Sequence, residues 1–273
     1  MADKLIFMRL FNHPQPIRGI ARCLIRKLNI GSSKFQYRIG AINRPNYAYL
    51  VFQAAQLAHR LGHERVSVIE FGVAKGAGLL MLEHHADWVE KIFPVKIEIY
   101  GFDTGEGLPH PKDYRDLPYH WKPGFFRMDQ DSLRAKLKRS TLILGDVADT
   151  IQTFFSSHDA APVGAISDDL DFYSSTMEAL KLFDVDDKRL LPRIFCYFDD
   201  ALGGDVELYG DYAGERLAIH EFNASHNDRK ISPAYYLQAF GFQDWHYQTW
   251  ILHNFRHIDY GKFVSEENPQ LST

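Results

Sequence analysis

Carboxylates and glycines recur at the ends of apolar runs in this chain, and their spacing limits the chemistry open to it. The first group is Glu70-Phe71-Gly72-Val73-Ala74-Lys75-Gly76-Ala77-Gly78. Glycines after an apolar run permit positive φ and let the backbone come close to a ligand. The spacing Gly72, Gly76, Gly78 does not match the dinucleotide pattern G-x-G-x-x-G, and Glu70 would repel a pyrophosphate. An acid beside glycines instead suits a ligand with an ammonium group and no phosphate. Lys75, inside the turn, either faces solvent or meets a ligand carboxylate. The next apolar run ends at Asp103-Thr104, where a carboxylate is placed to accept both hydroxyls of a ribose. A third run ends at Asp146-Val147, where an adenine amino group would lie.

Further along, two runs end in denser acids: Asp168-Asp169-Leu170-Asp171 and Asp199-Asp200. Carboxylates brought to one edge repel unless some are protonated or a hard cation joins them. Oxygen ligands of this kind suit Mg²⁺, which keeps some waters and binds substrate oxygens directly. Asp171 is expected to cap the helix that follows it. For a general base the chain offers His110 and His120, within the proline- and aromatic-rich stretch Leu108–Phe126. Tyr114, Tyr119, Trp121, Phe125 and Phe126 there either stack on a substrate ring or form the stretch's own small core.

These groups need elements to position them. Val66–Phe71, Lys96–Phe102, Ser140–Leu144, Val163–Ser167 and Arg193–Phe198 read as strands, the first nearly continuously apolar, as in a sheet covered on both faces. Helical patterns fall at Tyr47–Leu61, stopped by Gly62, and at Leu79–Ile92, Val147–Ser156 and Ser174–Phe183. Such alternation predicts an α/β, Rossmann-like fold, with a mostly parallel central sheet and helices on both faces. The aromatic segment Trp245–His257 is expected to add an antiparallel C-terminal edge. The expected organisation is a helical extension over 1–62, a ligand-binding domain over 63–257 and a tail over 258–273.

Bulk properties narrow the function. A net charge of −4 and a pI near 6.3 argue against a nucleic-acid binder. Only Cys23 and Cys196 are present, with no zinc or disulfide spacing, which points to a reducing, cytoplasmic setting. No apolar run reaches the ~20 residues of a membrane span. The first 31 residues are basic and amphipathic, and Arg9, Pro14 and Pro16 interrupt any signal-peptide core. A capping or partner-contacting role, homo-oligomer assembly included, is expected for this segment ahead of a targeting or membrane-surface role.

The stretches EFGVAKGAG, GFDTGEGLP, LILGDVADT, DLDFYSSTMEAL and YFDD, in this order, resemble class I S-adenosylmethionine-dependent methyltransferases. More narrowly they resemble the macrocin O-methyltransferase group and its uncharacterised relatives. The resemblance implies Glu70, Gly72 and Gly76 around the methionine part of S-adenosylmethionine, Asp103 and Thr104 at the ribose, and Asp146 and Val147 at the adenine. It further implies Asp169, Asp199 and Asp200 as ligands of Mg²⁺, with Asp169 also at the reacting centre. The expected activity is metal-assisted O-methylation of a hydroxyl on a sugar or other small molecule. A nucleotide-linked oxidoreductase and a non-catalytic cofactor-binding protein are the competing readings.

Overall fold

A computed structural model of the chain describes residues 16–239 and 243–265. The sheet that carries the apolar runs has seven strands: β1 (Arg65–Phe71), β2 (Lys96–Asp103), β3 (Thr141–Leu144), β4 (Val163–Asp168), β5 (Leu190–Phe198), β6 (Arg229–Pro233) and β7 (Thr249–Asn254). Their order is β3-β2-β1-β4-β5-β7-β6. The first five are mutually parallel, whereas β7 runs antiparallel to both β5 and β6. The predicted parallel sheet and antiparallel edge are therefore both present. The sequence reading missed β6, whose five residues RKISP include two cations and a proline. An edge strand tolerates these, because one of its backbone rows faces away from the ladder.

Each face of the sheet carries a helical layer. On one side α3 (Pro45–Leu61) and α4 (Ala77–Val89) pack over Val66, Val68, Ile97 and Ile99. On the other α6 (Val147–Ser157), α7 (Tyr173–Ala179) and α8 (Gly214–Ser225) cover Ile69, Phe71, Ile166 and Cys196. Three further helices are peripheral: α1 (Pro16–Lys27) and α2 (Ser33–Arg38) precede α3, and α5 (Gln130–Arg134) follows β2. A ninth, α9 (Tyr235–Ala239), follows β6. Ten residues of α3 are buried, so this helix belongs to the sheet's own layer. Pro45 starts it and Gly62, at φ +86°, stops it.

The βα connections bring every predicted carboxylate to the C-terminal ends of β1 to β5. One tie fixes α4 against the start of β3. The Glu83 carboxylate, buried on α4, accepts the backbone N–H of Lys138 (3.0 Å), Arg139 (2.9 Å) and Ser140 (2.8 Å). Burial alone would raise its pKa, but the three N–H donors hold it below the usual glutamate range.

Because the folded-state pKa lies below the unfolded one, this stabilisation is complete above the ordinary glutamate pKa and is lost as pH falls from there through the lowered folded-state pKa. Replacing Glu83 with Ala leaves three part-buried N–H groups without their acceptor and should cost ~1 kcal/mol or more in urea unfolding at pH 7. The difference between wild type and variant should shrink as the titration is repeated toward pH 3–4.

Candidate functional site

The turn after β1 is shaped by close approaches that only glycine allows. Gly72 has φ +79°, and a Cβ there would stand 1.8 Å from the backbone oxygen of Asp169. The tips of β1 and β4 therefore touch, and the Asp169 N–H donates to Phe71 O (3.0 Å). Gly78 is just as constrained, since a Cβ there would meet Glu70 Oε1 at 1.8 Å.

Asp103 clamps the same turn. Its Oδ2 accepts the N–H groups of Val73 (2.9 Å) and Ala74 (2.8 Å), and its Oδ1 accepts that of Gly105 (2.6 Å). Asp103 also lines the main cavity, and its oxygens keep lone pairs that can accept further hydrogen bonds. Thr104 closes the neighbouring turn by donating to Gly107 O (2.9 Å). Asp146 caps α6 through the N–H of Ala148 (2.8 Å), and Val147 packs beside it. The cleft enclosed by these residues holds about 790 Å³, its open mouth included. Gly72, Asp103, Thr104, Asp146, Val147 and Asp169 all stand in its wall.

A second cavity adjoins the first and shares Gly72, Ala74, Phe126 and Asp169 with it. Glu70 lies at its base, buried, with Oε1 accepting the Tyr47 hydroxyl (2.7 Å) and Oε2 without a partner among the described residues. Burial pushes the Glu70 carboxyl up to about 8, against the lowering effects of the Tyr47 hydroxyl and the Arg44 charge. Arg44 and Lys75 line this cavity as well. One carboxylate and two cations around a small cavity match the ammonium and carboxylate of a free amino acid. Gly76 sits at the N-terminus of α4 with φ +81°, against Leu133.

Acids crowd the edge formed by β4 and β5. Carboxylate oxygens of Asp169, Asp171 and Asp200 all lie within 4.8 Å of one another. Burial and mutual repulsion push these groups up: Asp171 to about 9, Asp200 to about 7 and Asp169 well above its usual value. Asp199 adds its charge to the cluster while its Oδ1 accepts the Tyr197 hydroxyl (2.5 Å). Asp171 does not cap α7 as expected. The residue ahead of that helix is Phe172, and Asp171 has φ +60°, a left-handed turn that swings its carboxyl into the cluster. The helix is capped instead by Asp116, which accepts the Ser174 N–H (2.8 Å) from across the Leu108–Phe126 stretch. Behind the cluster Asp168 and Glu215 are fully buried beside each other, close enough for one carboxyl, when protonated, to hydrogen-bond the other.

The histidines do not join this centre. His110 is exposed and stands outside the cavity wall. His120 turns to Glu207, with Nε2 and Oε1 3.6 Å apart. The same stretch is tied to the 200s loop by Tyr119, which donates to Glu207 O (2.5 Å), and by Trp121 Nε1, which donates to the Tyr209 hydroxyl (2.9 Å). Tyr209 in turn hydrogen-bonds Asp200. Phe126 faces both cavities, while Tyr114, Tyr119 and Phe125 are exposed.

No protein-family model matches the chain, and no curated protein matches it in sequence. Among solved structures it is similar to CalS11, a calicheamicin methyltransferase: 19% identity, TM-score 0.51, covering 89% of this chain and 93% of that one. It also matches the O-methyltransferase TomG from Streptomyces achromogenes in complex with SAM, at 14% identity and TM-score 0.43, over 86% of this chain and 87% of that one. The chain has the fold of the class I methyltransferases. Within that fold the sequence reading missed Arg44, Tyr47, Tyr209 and Glu215. Arg44 and Tyr47 lie before and within a helix that reads as ordinary core. Glu215 reads as an acid at a helix start, and only the tertiary packing puts it beneath the cluster.

Asn tolerates the left-handed backbone of Asp171, so Asp171→Asn removes the cost of burying or protonating this acid without strain. In chelator this variant should melt higher than wild type, by on the order of 1 kcal/mol or about 2 °C. Added Mg²⁺ should raise the wild-type melting temperature and leave that of the variant less changed, as differential scanning calorimetry would read.

Proposed function

We propose that the chain is an S-adenosylmethionine-dependent O-methyltransferase that methylates a hydroxyl of a small molecule with the help of a divalent cation. One observation carries this reading: an amino-acid-shaped cavity and a carboxylate triad meet at a shared wall residue, Asp169. S-adenosylmethionine supplies an activated methyl whose transfer leaves a neutral thioether. The chain's part is binding, orientation and proton removal.

Glu70 receives the cofactor ammonium through its unpartnered Oε2, and Arg44 and Lys75 receive its carboxylate. Asp103 accepts the ribose hydroxyls while holding the turn, with Thr104 alongside. Asp146 and Val147 border the adenine. Gly72 and Gly76 give the cofactor backbone surfaces with no side chain in the way. This arrangement disfavours a pyrophosphate cofactor, because Asp103, Asp146, Asp169 and Asp171 line the main cavity with no cation among its wall residues.

The convergent acids fit a hard cation, since a metal-free triad of this kind is held together against its own repulsion. Mg²⁺ ordinarily takes one or two carboxylates and leaves positions for waters and substrate oxygens. Asp169 and Asp200 hold it, and Asp199, oriented by Tyr197, adds negative charge beside them. The cation supplies a Lewis acid that lowers the acceptor hydroxyl's pKa. Asp171, the remaining triad acid and a wall residue of the main cavity, takes the hydroxyl proton as the oxygen bonds to the methyl carbon. The Leu108–Phe126 stretch, tied to the 200s loop, covers the site and sets the acceptor's shape. A sugar or polyol hydroxyl fits this chemistry.

Calorimetric titration should give heat with S-adenosylmethionine and none with NAD; silence with S-adenosylmethionine would end the proposal. Arg44→Met combined with Lys75→Met should weaken S-adenosylmethionine roughly tenfold or more, yet leave its decarboxylated analogue unchanged. In a screen of hydroxylated acceptors, Asp171→Asn should abolish turnover while S-adenosylmethionine affinity stays within a few fold of wild type.

A further inference from the structure

Helix α1 presents an apolar stripe to solvent. Ile17, Ile20 and Leu24 are 81%, 49% and 52% exposed, and Leu28, one turn on, is 66% exposed. Leu28 continues the helical geometry, because its N–H donates to Leu24 O (2.9 Å). At 100° per residue these four side chains and Ala21 fall within one sector of the helix. Arg18 and Lys27 stand at the two margins of that sector, both exposed. Arg22 points back toward the body, near Gly40 and His246. The patch extends through Ile30 and Phe35, also exposed, with the exposed cations Lys34 and Arg38 beside them.

Charge along the chain is divided in the same place. The first 63 residues contain ten Lys or Arg and a single acid, Asp3, a net of +9, whereas the remaining 210 carry −13. The weakly acidic total therefore conceals a strongly cationic end. We infer that this end is a docking surface for an anionic lipid bilayer, with the Ile17–Leu28 stripe in the acyl boundary and the flanking cations at the headgroups. A helix with an apolar sector bordered by Lys and Arg is the interfacial arrangement. Like charge opposes self-pairing of two copies of α1, and a nucleic acid has no use for an isoleucine–leucine face. The active-site reading is not needed for this inference, since α1 contributes no residue to either cavity.

The test is vesicle flotation of the full chain. Vesicles of phosphatidylcholine alone are compared with vesicles containing roughly 30% phosphatidylserine, at about 0.05 and 0.5 M salt. Binding should require phosphatidylserine and fall ~tenfold or more at the higher salt. Ile20→Asp combined with Leu24→Asp should remove binding, and Arg18→Glu combined with Lys27→Glu should weaken it ~tenfold or more. Ile20 and Leu24 are exposed, so the melting curve of the aspartate pair should match wild type. Equal binding to both vesicle types, or to neither, overturns the inference. So does a dimer in sedimentation that the aspartate pair splits, which assigns the face to a second copy. Retention of an oligonucleotide by both wild type and the aspartate pair, with no vesicle binding, overturns it as well.

Discussion

Negative charge gathered at one end of a parallel sheet is the constraint around which this molecule is arranged. Glu70, Asp168, Asp171, Asp200 and Glu215 are all buried there, with Asp169 beside them. An unpaired buried carboxylate costs several kcal/mol, so each must find hydrogen bonds, a proton or a cation. Some are answered within the chain. Tyr47 meets Glu70, Tyr209 and the Asp171 N–H meet Asp200, and Thr176 meets Asp168. The rest is left unmet, most plainly at Glu70 Oε2. A site with this much unsatisfied acceptor capacity suits positive groups, which is the basis for proposing an ammonium, a sulfonium and a divalent cation there.

The glycines serve this arrangement. Charge can be concentrated only if the tips of β1 and β4 come into contact, and a side chain at Gly72 would prevent it. Asp103 adds a second function to the one its position suggested. A carboxylate holding three backbone N–H groups fixes the turn before any ligand arrives, so the cleft is preorganised. The Leu108–Phe126 stretch is bound in by the same acids, through Asp116 at the start of α7 and the Trp121–Tyr209–Asp200 series. That stretch and the acidic cluster are thus mechanically joined.

Most of the sheet was legible in the sequence because its strands are long and apolar, and period and β-branching speak clearly in such runs. The acids at their tips were legible because parallel strands place equivalent ends together. What escaped were features fixed by tertiary context. RKISP becomes a strand only because β7 offers it an edge. Asp171 reads as a helix cap until a left-handed turn points it inward, and the cap comes from Asp116, 58 residues away. Arg44 and Tyr47 carry no local signal of a ligand, since their cavity exists only once α3 lies beside β1. His110 and His120 were chosen for their chemistry, and the loop's own ties turn His120 toward Glu207 instead.

The central claim is that a divalent cation and the transferable methyl share one cavity wall at Asp169. Mn²⁺ in place of Mg²⁺, with S-adenosylmethionine carrying ¹³C in its methyl group, tests this by nuclear magnetic resonance. The account predicts strong, saturable paramagnetic broadening of the bound methyl signal, abolished when Asp169 and Asp200 are both changed to Asn. A bound methyl signal that stays sharp as Mn²⁺ is added, or broadening that survives loss of both carboxylates, would contradict it.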